Sequence, residues 1–540
     1  MMIKKDNYTY YLLIVIGLIF FVNLDAIYVN IMEARNFITA REMVNLDHWL
    51  LTTLNDVPRY QKPPLPTWLT AFFGSLANFK SLMLLRLPAA LCSLLLIIGF
   101  YKTLPKFEIT KQQAFQASLI LATSFYIIFS GRNGQWDIFT HAFMMICIYY
   151  LWKFFSIDKK LYQHALLAAL FFGFSFLSKG PVSLYALLLP FIISYGIVYK
   201  YHNFKKRWLP LIIFLLVGLL IGGWWFIYVR WADPAAFLKI AEKETSNWGS
   251  YNIRPWYYYW SFFTQSGIWT IPSFVALLYP YLKNKVSNKK AYLFSFLWTI
   301  ISVILLSIIP EKKSRYLLPV LIPMAFNTSF YVEYLIRKFQ QLPSKEKWVV
   351  YFNHGLIALI GFAFPIAGYF FLDIRGIYWV YFLLSSAGLV VAAFLIFQNL
   401  LRQSYAKVFY ATIGFICVVM SFGFPLVDTL LDNPRFHNFD ELQAFSEMEN
   451  FKVYDYGGKT PEIIWEYGEP IPTIDKDSLY TPNTEKFGII MSEKDSSIVK
   501  KFTDYNIIAS DRYDLNYVNP EKGGYKSRLI RKFYLLQKKD

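Results

Sequence analysis

Cysteine is nearly absent from this chain. The three present in 540 residues, Cys92, Cys147 and Cys417, all fall inside apolar runs. That excludes a disulfide framework and a cysteine metal site, and reads the three as inert core residues. Charge is scarce as well, at 17% of residues against 56% hydrophobic, which excludes an ordinary soluble protein. There is no internal repeat, no low-complexity segment and no inverted-repeat symmetry of the transporter kind. No cleavable signal peptide is evident either, because the first apolar run has no small-residue cleavage site and leads straight into a polar stretch.

What is present is apolar length. Runs of about 20 apolar residues cross a hydrocarbon core about 30 Å thick. They fall near 9–29, 82–101, 114–131, 138–156, 162–178, 182–199, 208–229, 258–282, 291–309, 317–336, 350–372, 377–397 and 408–430, roughly thirteen spans. Aromatics make up 20% of the chain, with Trp and Tyr gathered at the ends of those runs, where interfacial belts form. The net charge of +18 raises the question of nucleic acid. The lysines, however, sit in short clusters between spans, which is topology and not a nucleic-acid surface. Lys4 and Lys5 precede the first span and every second loop thereafter is basic, so the amino terminus is expected in the cytoplasm. An odd number of spans then puts the carboxyl terminus outside. From about Leu431 short apolar runs alternate with Gly, Asn, Asp and Pro, which predicts a small α/β domain over 431–540 on that outer side.

The stretch from Glu33 to Pro64, EARNFITAREMVNLDHWLLTTLNDVPRYQKPP, is too polar to span and should lie along a membrane face. It forms the first external loop, residues 30–81. Lys62 stands before Pro63 and Pro64. That places it at a helix start, where dipole and ammonium both favour an anion, or else at a lipid headgroup. Lys179-Gly180-Pro181 has the same logic, with snorkelling as its alternative. Pro310-Glu311-Lys312-Lys313-Ser314-Arg315-Tyr316 puts three cations in one external loop against the topological bias, which points to an anionic partner. Arg254, before Pro255 and Trp256, is a weaker case of the same kind. Asp137 follows Gly131-Arg132-Asn133-Gly134-Gln135-Trp136 at an external mouth, where a carboxylate can orient an acceptor or take its proton. Glu33 can do the same. The plainer alternative for each carboxylate is a structural ion pair, Glu33 with Arg35 and Asp137 with Arg132.

Taken together, EARNFITAREM, VPRYQKPPLPTWLTA, LRLPAAL, GRNGQWDIFTHAF, LSKGPVSL and KKSRYLLPVLIP resemble bacterial GT-C membrane glycosyltransferases over about residues 9 to 340. The likeness is to lipid A aminoarabinose transferases and, more distantly, to protein O-mannosyltransferases. It implies a helical polytopic fold in the bacterial inner membrane. It also implies transfer of a sugar from a polyprenyl-phosphate donor to a lipid A, protein or glycan acceptor at the outer face. By resemblance Arg35 and Lys62 hold the carrier phosphate, Lys179 and Arg315-Tyr316 line the same cavity, and Asp137 faces the acceptor. Tyr60, Arg132, Arg254, Lys312 and Lys313 are further candidates for that cavity, and Glu33 and Asp137 for the base. Two departures stand out. The family's acidic pair is Met32-Glu33 here, and its FEKPP reads YQKPP, so Gln61 replaces an acid. No metal ligand is assigned and no cofactor is expected, a divalent metal being left open. A transporter or flippase for an anionic lipid is the competing reading.

Overall fold

The computed structural model describes residues 7–458, 460–476 and 482–539. α1 (Tyr8–Phe20) leads to α2 (Ile31–Asn45), the hairpin of β1 (Thr53–Leu54) and β2 (Val57–Pro58), and α3 (Leu65–Ser75). α4 (Leu82–Thr103), α5 (Lys111–Ala122), α6 (Phe125–Gly131), α7 (Asp137–Ser156) and α8 (Leu161–Lys179) follow. Then come α9 (Leu189–Val198), α10 (Phe204–Ala232), α11 (Pro234–Ser250), α12 (Thr270–Leu277), α13 (Tyr279–Leu282) and α14 (Lys289–Ile308). α15 (Leu318–Lys338), α16 (Ser344–Phe371), α17 (Tyr378–Leu401) and α18 (Tyr405–Val418) complete the apolar part.

Among the described residues eight helices are long and apolar enough to cross a membrane: α4, α7, α8, α10, α14, α16, α17 and α18 with its continuation to Leu430. A bilayer core offers no partner to backbone N–H and C=O groups, so only such self-satisfied segments can cross it. The span expected over 114–131 is the pair α5 and α6, bent by 67° at its break. The span expected over 258–282 is broken into short turns. Gly267 holds a φ of +67° there, and a Cβ would run into the Phe125 side chain. α15 occupies the span expected over 317–336 but lies outside the apolar set. Its residues from Leu318 to Val332 are all buried, Asn327, Thr328 and Ser329 among them, so it needs no lipid-facing surface. The outer helices do the reverse: Leu220, Ile227 and Trp231 of α10 are exposed, as expected of a face against lipid.

The last part holds α19 (Phe439–Met448), β3 (Lys452–Tyr456), α20 (Pro461–Tyr467), β4 (Thr473–Ile474), β5 (Lys486–Met491), β6 (Tyr505–Asp514) and β7 (Ile530–Lys538). The strands form one sheet in the order β4-β3-β5-β7-β6. β3 pairs parallel with β4 and β5, while β7 pairs antiparallel with β5 and β6. α20 is the crossover between parallel β3 and β4, as such a connection requires. One apolar cluster joins Phe37, Ile38 and Met43 of α2 to Ile463, Ile464 and Ile471 of this unit. Polar locks flank it. Asn55 donates to the Ile471 carbonyl and accepts from its amide, both at 2.6 Å. Arg41 donates to the carbonyls of Ile464 at 2.9 Å and Trp465 at 3.1 Å. The carboxyl-terminal unit therefore sits directly on the helix that opens the polar loop.

Candidate active site

α2 begins with a reciprocal cap. Asn30 accepts from the amides of Met32 and Glu33, and Glu33 reaches back to the Asn30 amide. The same carboxylate is then saturated from other sides. Arg86 donates Nε to Oε1 at 2.8 Å and Nη2 to Oε2 at 3.0 Å, and the Gly134 amide donates to Oε1 at 2.9 Å. Glu33 is 1% exposed. This corrects the expected pairing. Glu33 is a structural pivot joining α2, α4 and the loop before α7, and its partner is Arg86 in place of Arg35.

The β1–β2 hairpin is fixed by Glu42, which accepts from Thr53 Oγ1 and from the amides of Asn55 and Asp56. Burial pushes the Glu42 carboxyl up, against those donors. Arg59 leaves the hairpin to donate to the Arg35 carbonyl and to Thr39 Oγ1, both at 2.9 Å. Its guanidinium lies 4.8 Å from the centre of the Trp136 ring. Arg59 is thereby held against the loop before α7. Lys62 follows, half-buried, three residues ahead of α3, whose first turn contains Pro66. It has no hydrogen bond or ion pair among the described residues. Burial, then the charges of Lys179 and Arg315, push its ammonium down to about 8, with Glu244 and Asp137 opposing them.

Asp137 opens α7 and Lys179 closes α8, and the two form a buried ion pair. Here too the partner differs from the expected Arg132. Gly180 takes a φ of +72° immediately after Lys179, with open space around its Cα, and turns the chain away from the pair. Lys179 lies 5.4 Å from the Tyr316 ring centre, and Arg315 lies 5.8 Å from it. Arg315 joins the two halves of the site: its charge acts on Arg35, Lys62, Asp137 and Lys179. Burial, followed by that Arg315 charge, holds the Arg35 guanidinium below the usual arginine range. Among the described residues the one polar contact of the Arg35 side chain is with Met32 Sδ, at 3.8 Å. Nε of Arg315 is buried without an acceptor. A buried donor left unpaired costs about 1–3 kcal/mol, and Arg315, whose charge reaches Lys62 and Arg35, carries one, so the three cations together suit an anion.

The remaining candidates lie elsewhere. The Tyr60 hydroxyl donates to Asp233 Oδ2 at 2.8 Å, inside an apolar cluster with Leu177 and Trp225. Arg132 donates to the carbonyls of Ile19 and Asn23, both at 2.6 Å, and lies against Phe424, which ties α1 to the bundle. Lys312 gives its ammonium to the carbonyls of Arg254 and Ile309, and the Arg254 side chain is exposed. Among the described residues the Tyr60 hydroxyl and the Lys312 ammonium are thus taken by protein and the Arg254 side chain is exposed, while Arg132 keeps an unpaired Nε. Lys313 is paired with Glu311 and lies near the Tyr251 and Tyr316 rings. Among the described residues no group of three His, Cys, Asp or Glu side chains is close enough to hold a metal ion. Glu33 is committed to Arg86 and Asp137 to Lys179, so the donor set does not fit one. Sequence reasoning passed over Arg86. Its signal was there, an arginine inside an apolar span, which must find a partner.

A family pattern described as dolichyl-phosphate-mannose-protein mannosyltransferase matches residues 61–225, the part that carries Lys62, Asp137 and Lys179. An uncharacterized protein of Aquifex aeolicus is 25% identical over 321 residues, 58% of this chain and 61% of that one. The undecaprenyl phosphate-alpha-4-amino-4-deoxy-L-arabinose arabinosyl transferase 1 of Proteus mirabilis is 22% identical over 336 residues, 61% of this chain and 59% of that one. The chain thus spans about three fifths of the length of these relatives. The crystal structure of ArnT from Cupriavidus metallidurans bound to undecaprenyl phosphate superposes with a TM-score of 0.71, at 14% identity over 98% of both chains. At that identity the likeness is one of fold. The chain has the GT-C fold and is similar to the aminoarabinose transferases.

Proposed function

We propose that this GT-C membrane protein is a glycosyltransferase that takes a sugar from a polyprenyl-phosphate donor and places it on an acceptor at the outer face of a bacterial inner membrane. One observation carries the proposal: Lys62, Arg35 and Arg315 lie close enough for the Arg315 charge to act on the other two, and among the described residues none of the three is in an ion pair with a carboxylate. Supporting it are the family pattern over 61–225 and relatives named for undecaprenyl-phosphate sugar transfer.

Chemically, the bond between the anomeric carbon and the phosphate oxygen breaks, and its electron pair stays on the phosphate. Charge grows there as the acceptor oxygen closes on the anomeric carbon in a single displacement. Lys62, Arg35 and Arg315 meet that charge in place, with no solvent to reorganise. Asp137 takes the acceptor proton when the acceptor is a hydroxyl. As it does so it ceases to neutralise Lys179, whose charge then passes to the departing phosphate. The ion pair thus couples base to leaving group.

The same reading completes the topology. Thirteen crossings result if α1, the α5–α6 pair, α9 with the turn before it, the broken 262–277 segment and α15 are added to the eight long helices. The amino terminus is then cytoplasmic and the carboxyl-terminal α/β domain periplasmic, above the acceptor side of the site. The test is transfer of radiolabelled sugar from undecaprenyl-phosphate donors to envelope lipids, proteins and glycans by the purified protein in nanodiscs. Donor movement between leaflets without transfer would favour a flippase instead.

A further inference from the structure

A cavity of about 260 Å³ lies between the end of α15, with its turn Phe339–Gln341, and the link from α17 to α18. Arg337, Lys338, Gln341, Gln403 and Ser404 are among the residues that line it. α15 is 21 residues long and starts at Leu318, beside Arg315 and Tyr316, and a helix of that length extends roughly 30 Å. The cavity is therefore at the other end of α15 from the cation cluster. On the proposed topology that end is the cytoplasmic face.

Two lysines converge on the lining. The Lys338 ammonium donates to Gln341 Oε1 at 2.9 Å. Lys347, in the first turn of α16, donates to the Gln340 carbonyl at 2.9 Å and to Gln403 Oε1 at 3.1 Å. All three acceptors are neutral oxygens, which fix the two ammonium groups without cancelling their charge, and among the described residues neither lysine is in an ion pair. The two carboxylates within 333–347 are used by other cations, Glu333 by Arg337 and Glu346 by Lys285, both at 2.8 Å. Lys345, Arg402 and Lys407, all exposed, add to the positive charge of these segments. Fixed ammonium groups around a recess favour an anion whose oxygens take their donors.

The surface beside the cavity is apolar and faces outward. Leu401, two residues before Gln403, is 66% exposed, and Trp348, next to Lys347, is 63% exposed. Phe397 and Phe352 continue these exposed faces one turn further along α17 and α16. A ligand seated here meets positive charge at one end and lipid-facing helices alongside.

We infer that this cavity binds the phosphate headgroup of an anionic membrane phospholipid, held by Lys338 and Lys347, with its acyl chains along α16 and α17. The inference is separate from the donor site and does not rest on the transferase reading. Basic pockets between membrane helices at the cytoplasmic surface suit such headgroups. The bound lipid ties the α17–α18 link to the ends of α15 and α16.

The test titrates phosphatidylglycerol, phosphatidylcholine and the chain-free headgroup glycerophosphoglycerol against the full-length protein in micelles, with bound molecules counted by native mass spectrometry. One phosphatidylglycerol is expected to bind about tenfold or more tightly than either of the others. Lys338→Gln combined with Lys347→Gln is expected to weaken it by about fivefold or more. Gln403→Glu should weaken it by a second route, since it places a carboxylate in the lining. Lys62→Ala, at the far end of α15, should leave it unchanged. Equal binding of the two lipids, or a preference that neither lining variant weakens, overturns the inference. So does a preference lost in Lys62→Ala and kept in the lining variants, which would move the lipid to the donor site. Headgroup binding as tight as that of the whole lipid overturns the membrane lipid as occupant in favour of a soluble phosphate.

Discussion

Arg86 rises from within an apolar helix to close on Glu33 through two hydrogen bonds, at 2.8 and 3.0 Å. The pair is almost wholly buried, so neither partner can lose the other without leaving a bare charge in the interior. Arg86→Ala is therefore expected to destabilise the protein by about 3–5 kcal/mol. Glu33→Gln, which keeps the shape and part of the bonding, should lower the melting temperature less. It should leave the affinity for undecaprenyl phosphate unchanged in the folded fraction, because the Glu33 oxygens are bonded to Asn30, Arg86 and Gly134. Thermal unfolding in micelles alongside a binding assay separates the two effects.

Lys62 makes the donor site sensitive to pH. Its ammonium is pushed down to about 8 in the free protein, chiefly by burial, while a bound phosphate favours the charged form. Binding above that pH must therefore draw a proton in. With the phosphate monoester already fully ionised, affinity for undecaprenyl phosphate should fall toward tenfold per pH unit above about 8. Lys62→Arg keeps its charge across this range and should flatten the upper limb, whatever its affinity at neutral pH. A titration of binding against pH for both proteins checks the sign.

Asp137→Asn separates chemistry from binding. The substitution removes the proposed base and the counter-charge of Lys179 together. Turnover with a hydroxyl acceptor should drop by about 10²–10⁴. Binding of the donor phosphate should hold or tighten, because Lys179 is released toward it. A loss of phosphate affinity in parallel with turnover would remove Asp137 from the proposed role.

The carboxyl-terminal unit is held on α2 by few polar contacts. Asn55→Ala removes both hydrogen bonds to Ile471 and leaves two buried backbone groups unpaired, at a cost of about 2 kcal/mol or more. It also takes away a residue type that tolerates the φ of +59° at this position. Faster trypsin cleavage of the connection around Arg435, measured under native conditions, is the expected result.

Much of this was legible in the sequence, for reasons that are local. Apolar length located the long helices, and Lys62, Lys179 and Arg315, cations singled out between apolar runs, lie within reach of one another's charge. Gly180 and Pro181 marked the turn that ends α8. What was not legible depends on contacts across the fold. Glu33 pairs with Arg86, 53 positions away, and Asp137 with Lys179, 42 positions away. Spacing alone offered the nearer arginines, but Arg132 serves two carbonyls and the Phe424 ring, and the Arg35 side chain contacts Met32 Sδ. α15 was read correctly as a helix, yet its burial on all sides and its polar residues could not be separated from a lipid-facing span by composition.

The central claim is that Lys62, Arg35 and Arg315 form one site for the phosphate of a lipid-borne sugar. It is tested most directly by the affinity of the purified protein for undecaprenyl phosphate and for the uncharged alcohol undecaprenol, in wild type and in the Lys62→Ala and Arg315→Ala variants. The account predicts tight binding of the phosphate, weak binding of the alcohol, and a loss of about tenfold or more in phosphate affinity for each variant with no change for the alcohol. Equal binding of phosphate and alcohol by the wild type, or variants that bind the phosphate as well as it does, would contradict it.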